Sequence, residues 1–141
     1  MYLNRFHALL IVVSLWALAM QAQANVPLRQ RESPIVTEAF TIDAGKYAWF
    51  RFGVPSNGGN VVGRFRASGG SGNDVEVYIL DEDGFENFKN GHRVRTFYNS
   101  GRVTVANINV SLSSGAYYLI FSNTFSGVSN KAVNGRVSLR Y

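Results

Sequence analysis

From residue 36 onward, apolar residues recur at every second position, in short runs that end at Gly, Asn, Ser or Pro. A period of two sends alternate side chains to opposite faces of an extended chain, whereas a helix needs a period near 3.6. The chain is thereby confined to strands, and each strand must bury its apolar face against another sheet. In residues 46–54, Ala48, Phe50, Phe52 and Val54 alternate with Tyr47, Trp49 and Arg51. In residues 60–68, Val61, Phe65 and Ala67 oppose Arg64 and Arg66, and in residues 74–80, Val75, Val77 and Ile79 oppose Glu76 and Tyr78. Residues 36–43, 93–98, 102–112, 116–121 and 136–141 complete the set, which makes eight expected strands.

The connections carry turn chemistry. Pro55-Ser56-Asn57-Gly58-Gly59, the Gly/Ser stretch at 68–72 and Asn99-Ser100-Gly101 are turn signals. Residues 85–92 are irregular and are expected as a structured loop after an Asp81-Glu82-Asp83-Gly84 turn. In residues 102–112 the apolar set changes phase near Ala106, from Val103 and Val105 to Ile108, Val110 and Leu112. A β-bulge or a bend from one sheet to the other produces such a slip. Residues 116–121 are apolar on both faces, as a central strand requires. The pattern predicts an all-β, antiparallel β-sandwich. A closed barrel has the same pattern, and an outer-membrane barrel is its membrane version, but most of these strands fall short of the roughly 9–11 residues that cross a bilayer.

The N-terminus bears on location. Arg5, an apolar run over residues 8–20 and Ala22-Gln23-Ala24 read as a secretory signal peptide over residues 1–24. An uncleaved anchor is the alternative, against which the run is short for a span. Residues 25–35 are expected as a flexible arm and 36–141 as the single folded domain, secreted or periplasmic and not membrane-spanning once the signal is removed. The chain has no Cys, which excludes a disulfide framework and thiolate metal sites. Fourteen Lys and Arg against nine Asp and Glu give a net charge of +5. That balance favours anionic partners such as lipid headgroups or acidic glycans. Nucleic acid is not expected as a partner of an exported chain.

Catalytic chemistry has little to build on. His92 sits in the turn Asn90-Gly91-His92 with no nucleophile elbow in the sequence to serve it, and a zinc site fails on ligand count. Glu76, Asp81, Glu82, Asp83 and Glu86 form the acidic cluster. Glu76 with Asp81 or Asp83 would suit a small glycoside hydrolase, in which paired carboxylates sit about 5–10 Å apart. Asp81 and Asp83, spaced two apart before a Gly, are the weak candidates for Ca²⁺, although the full twelve-residue loop spacing is absent. A solvated turn explains the same residues. The aromatic supply is larger than one face of each strand can bury, and Trp49 shares a face with Arg51. Exposed rings beside Arg suit a sugar or a protein hot spot, while burial under the 85–92 segment is the structural alternative.

The run GAYYLIFSNTFSGVSNKAV resembles the last part of the GOLD (Golgi dynamics) domain, at Gly115, Tyr117, Phe121, Ser122, Asn123, Phe125, Ser126, Lys131 and Val133. NDVEVYILDEDGF is similar to that family's aliphatic strand with an acidic-Gly turn, at Asp74, Val75, Val77, Ile79, Asp83 and Gly84. The resemblance implies a jelly-roll β-sandwich that binds proteins or lipids without catalysis. It departs from the best-known members in lacking their Cys pair, one of which would fall at Ile120, and in ending without a coiled coil or membrane span. By their own chemistry, Ser122 and Asn123 can pin the following loop through backbone hydrogen bonds, Phe125 can tuck it onto the core, and Lys131 can reach carbonyls or a carboxylate. Contact with a ligand is the other role open to them.

The expectation is a non-catalytic binding module for a protein or an anionic envelope component, glycan or lipid headgroup. Its candidate binding residues are Trp49, Arg51, Tyr98, Ser122, Asn123, Phe125 and Lys131. A carbohydrate-binding module, with or without Ca²⁺, and the carboxylate-dependent hydrolase are the alternatives.

Overall fold

A computed structural model describes residues 30–141. The expected signal peptide at 1–24 and the start of the expected arm lie outside the described residues. Nine strands and one helix follow in the order β1 (Glu32–Val36), β2 (Phe40–Ile42), β3 (Tyr47–Val54), β4 (Gly59–Ser68), β5 (Val75–Asp81), α1 (Glu82–Lys89), β6 (Tyr98–Val103), β7 (Val105–Leu112), β8 (Gly115–Ser122) and β9 (Lys131–Arg140). The first strand therefore starts at Glu32, inside the stretch expected as an arm, and Val36 is its last residue.

The strands form two separate sheets. One has the order β1-β9-β4-β7, with β2 also paired to β9, and the other β3-β8-β5-β6. Every pairing is antiparallel. Because β1 and β2 share β9 as partner, they fill one strand position interrupted at residues 37–39, and nine strands occupy eight positions. From β2 onward every connection except β5–β6 crosses between the sheets, and this order is the connectivity of a jelly roll. Among the described residues no helix is long and apolar enough to cross a membrane.

The alternating residues meet between the sheets. Val61, Phe65, Val133 and Val137 come from one sheet and Val75, Val77, Ile79, Leu119 and Phe121 from the other, all essentially buried. Phe121 lies at the centre, its ring 5.2 Å from Phe40 and 5.4 Å from Phe65, both in edge contact. Gly63 is required there by space. A Cβ would strike the carbonyl oxygen of Arg136 and come within 2.7 Å of the Val137 Cα, so β4 and β9 approach as only a glycine permits.

Three expectations about the middle of the chain are corrected. The 82–89 segment is a helix, where a turn and an irregular loop were expected. Residues 93–97 are not a strand, and β6 begins at Tyr98. Asn99-Ser100-Gly101 is a bulge inside β6, where a turn was expected: Glu76 faces Arg102 and Tyr78 faces Asn99, so β6 carries one residue more than β5 over the same span. Gly101 takes φ +61° there, and the Val77 N–H donates to Ser100 Oγ at 2.8 Å. The true break falls at Thr104, between β6 and β7, where the chain passes from one sheet to the other. That passage is the origin of the phase change near Ala106.

Candidate functional site

The helix makes the outer face of the second sheet distinctive. Asp81 caps it, with Oδ1 accepting from the Gly84 N–H at 2.8 Å. Glu82 and Asp83 sit at the positive end of the helix dipole and Lys89 at the negative end. Phe85 stacks on Tyr118 with centroids 4.0 Å apart and planes 18° off parallel. Phe88 meets Tyr47 edge-on at 5.1 Å and lies 5.7 Å from Tyr78. Together with Leu80 and Ile120 these rings form a second apolar cluster, outside the sandwich core. That cluster answers the question of the surplus aromatics: most are covered by α1, and this is why β8 is apolar on both faces.

One ring beside the helix is left open. Trp49, on β3 opposite Ile120, remains 51% exposed, with its ring 5.5 Å from Phe85 and 5.8 Å from Tyr118. Two residues on, Arg51 Nη2 donates to Glu82 Oε1 at 3.2 Å. Glu82, through that bond, and then Tyr118 raise the guanidinium above its ordinary pKa. Both partners of the pair are exposed, so it fixes geometry more than it adds stability. The result is a ledge of indole and guanidinium on a rigid strand, braced from behind by a helix.

The other sequence candidates are not brought to this ledge. Tyr98 packs against the sandwich core, its hydroxyl donating to the Asn107 carbonyl at 3.4 Å. Ser122 and Asn123 are buried at the end of β8. Asn123 Nδ2 donates to the carbonyls of Ile42 at 3.4 Å, Asp43 at 3.1 Å and Ser129 at 2.8 Å, while Oδ1 has no partner among the described residues. Lys131 is buried too, donating to the Gly69 carbonyl at 2.9 Å and to Asp74 Oδ1 at 3.3 Å, and so it ties the β4–β5 loop to β9. Phe125 is half-buried and lies under the Arg102 guanidinium at 4.1 Å. Asn123 and Lys131 thus each tie a loop to a strand end.

The acidic candidates also separate. Glu76 and Asp81 are five residues apart on one strand, about 17 Å at the usual rise per residue, and their positions point to opposite faces. Such a separation exceeds the span of either glycosidase geometry. Asp81 and Asp83 open the helix, and among the described residues no group of three or more His, Asp or Glu could hold a metal ion.

What sequence reasoning missed is the set around Trp49: Phe85, Tyr118 and Glu82. The available signal was the pair Phe85 and Phe88 at helical spacing behind a capping Asp, with Glu86 and Lys89 three apart. Fold and ledge together define an all-β antiparallel sandwich with a braced surface aromatic. No family model matches the chain, and no curated protein matches it.

One titration follows from this face. Desolvation, and secondly the hydrogen bond to Glu76, push the Tyr78 phenol up to about 12. The folded state therefore holds that proton where the unfolded chain, near 10, releases it. Stability contributed by Tyr78 is complete below pH 10 and is lost as pH rises toward 12. Urea midpoints measured across pH 9–12 are expected to fall more steeply in the wild type than in Tyr78→Phe; parallel curves would contradict the assignment.

Proposed function

We propose that the chain is a secreted or periplasmic, non-catalytic binding module that recognises a protein, or another envelope component, through the Trp49–Arg51 ledge. The observation that supports it most is the half-exposed Trp49. A large apolar ring left in water, rigidly braced and set beside a guanidinium, has the composition of an interface hot spot. The GOLD-like resemblance agrees with a recognition role, and the signal-like N-terminus with export. The residues spent on loop fastening, Asn123 and Lys131, are removed from the binding surface by this reading.

The test is retention of partners from an envelope extract on immobilised protein. Trp49→Ala should abolish retention of a specific partner, whereas Val128→Ser, at a loop residue 94% exposed, should leave it unchanged. Equal retention by both variants would remove the ledge from the account. Recovery of glycan alone, displaced by free sugar, would favour the carbohydrate-binding alternative, in which Trp49 stacks on a ring.

A further inference from the structure

The outer face of the five-stranded sheet carries an arrangement that the fold does not need. In register, Arg64 of β4 lies opposite Arg136 of β9 on one side and Asn107 of β7 on the other. Arg66 lies opposite Asn134 on β9. All five side chains belong to the outward, exposed set. Like charges placed directly across a strand pair repel, so the Arg64–Arg136 juxtaposition works against the sheet. No carboxylate offsets it: among the described residues no ion pair reaches Arg64, Arg66 or Arg136, and Glu32 on the same sheet is taken by Arg140 at 3.4 Å. Between the arginines runs a groove of about 360 Å³, floored by the Phe65 and Gly135 segments and walled by Arg64, Arg66, Asn134 and Arg136.

We propose that this groove binds a phosphorylated saccharide, with the guanidinium groups on the phosphate and the Asn134 amide on sugar hydroxyls. The planar fork of Arg matches phosphate oxygens two at a time, and an amide offers both a donor and an acceptor to a hydroxyl. A membrane surface is the poorer occupant. The large exposed apolar residues, Trp49, Phe97 and Val128, lie on the second sheet, before β6 and in the β8–β9 loop, so the basic face has no ring to insert between lipids. This site is on the opposite sheet from Trp49 and does not depend on the ledge.

The experiment is a calorimetric titration of the protein at low salt with glucose 6-phosphate, inorganic phosphate and glucose. Glucose 6-phosphate should bind, more tightly than inorganic phosphate, and glucose should not. Arg136→Gln should weaken glucose 6-phosphate about tenfold, the usual scale of one lost charge-assisted contact. The same substitution should leave the melting temperature unchanged or raised, because it relieves a repulsion. A purely structural arginine would lower the melting temperature. Arg93→Gln, at an exposed arginine away from this sheet, and Trp49→Ala should both leave the affinity at the wild-type value. Absence of binding, equal affinity for inorganic phosphate, equal weakening by Arg93→Gln, or capture by phosphatidylglycerol vesicles without binding of the sugar phosphate would each overturn the proposal.

Discussion

Replacing Asn123 by Ala is expected to destabilise the protein by about 2–4 kcal/mol, a large part of the 5–15 kcal/mol typical of a domain. The side chain is fully buried, and its amide nitrogen serves three carbonyls from two separate segments, Ile42 and Asp43 before β3 and Ser129 before β9. Backbone bonds continue the same junction: the Asn123 N–H donates to the Lys46 carbonyl at 2.9 Å, and the Gly45 and Ser126 N–H groups donate to the Asn123 carbonyl. Alanine leaves the carbonyls of Asp43 and Ser129 without this donor in a place water reaches poorly. Asn123→Asp should be worse than Ala at neutral pH, since an ionised carboxylate sets a second acceptor oxygen against carbonyl oxygens. Urea unfolding of the two variants checks the order, and a well-tolerated Asp would contradict the amide orientation and the role drawn from it.

Phe85→Ala carries the second large effect, about 3 kcal/mol, at the lower end of measured Phe-to-Ala losses in cores. The ring is 5% exposed and joins Tyr118, Trp49 and the Lys89 ammonium, which lies 5.1 Å over it. Helix α1 has eight residues and includes Gly84, Asp83 and Asn87, all poor helix formers, so it cannot persist without docking. Loss of Phe85 should therefore release the helix while the two sheets still unfold cooperatively. Hydrogen exchange would show it as lost protection of the Asn90 N–H, which donates to the Glu86 carbonyl, with amides of β4 and β9 unaffected in relative order. Uniform loss of protection would mean that α1 is integral to the sandwich core.

The sandwich was legible because strand alternation is a local property. β3, β4 and β5 declare their faces in the residues themselves, as β9 does from Arg136 onward, although it begins at Lys131, in the stretch expected as a loop; β8 is apolar on both faces because its outer side is covered as well. What covers it was not legible, for a physical reason. Asp81-Glu82-Asp83-Gly84 reads identically as a turn and as a capped first helical turn, and the choice is made by Phe85 and Phe88 finding Tyr118, Tyr47 and Tyr78 across the sheet. Asn-Ser-Gly reads as a turn for the same reason: a bulge uses the same glycine conformation, and only the β5 register distinguishes them.

The candidate site was legible in part. Trp49 and Arg51 do share an exposed corner, as alternation requires, but the ledge also needs Glu82 and Phe85, thirty-odd residues away and set by the helix. For Ser122, Asn123 and Lys131 residue type alone left two roles open, and what alternation could not show is that all three are buried. The Arg64–Arg136 pair was out of reach, because only the β4–β9 register brings the two together.

The central proposal, that recognition resides in the Trp49 ledge while Asn123 and Lys131 hold the loops, is tested most directly by measuring stability and partner affinity side by side in Trp49→Ala and Asn123→Ala. The account predicts a crossed result: Trp49→Ala keeps its unfolding free energy within about 1 kcal/mol and loses the partner, and Asn123→Ala is markedly less stable yet binds normally while folded. Loss of binding in folded Asn123→Ala, with Trp49→Ala binding as the wild type, would contradict it.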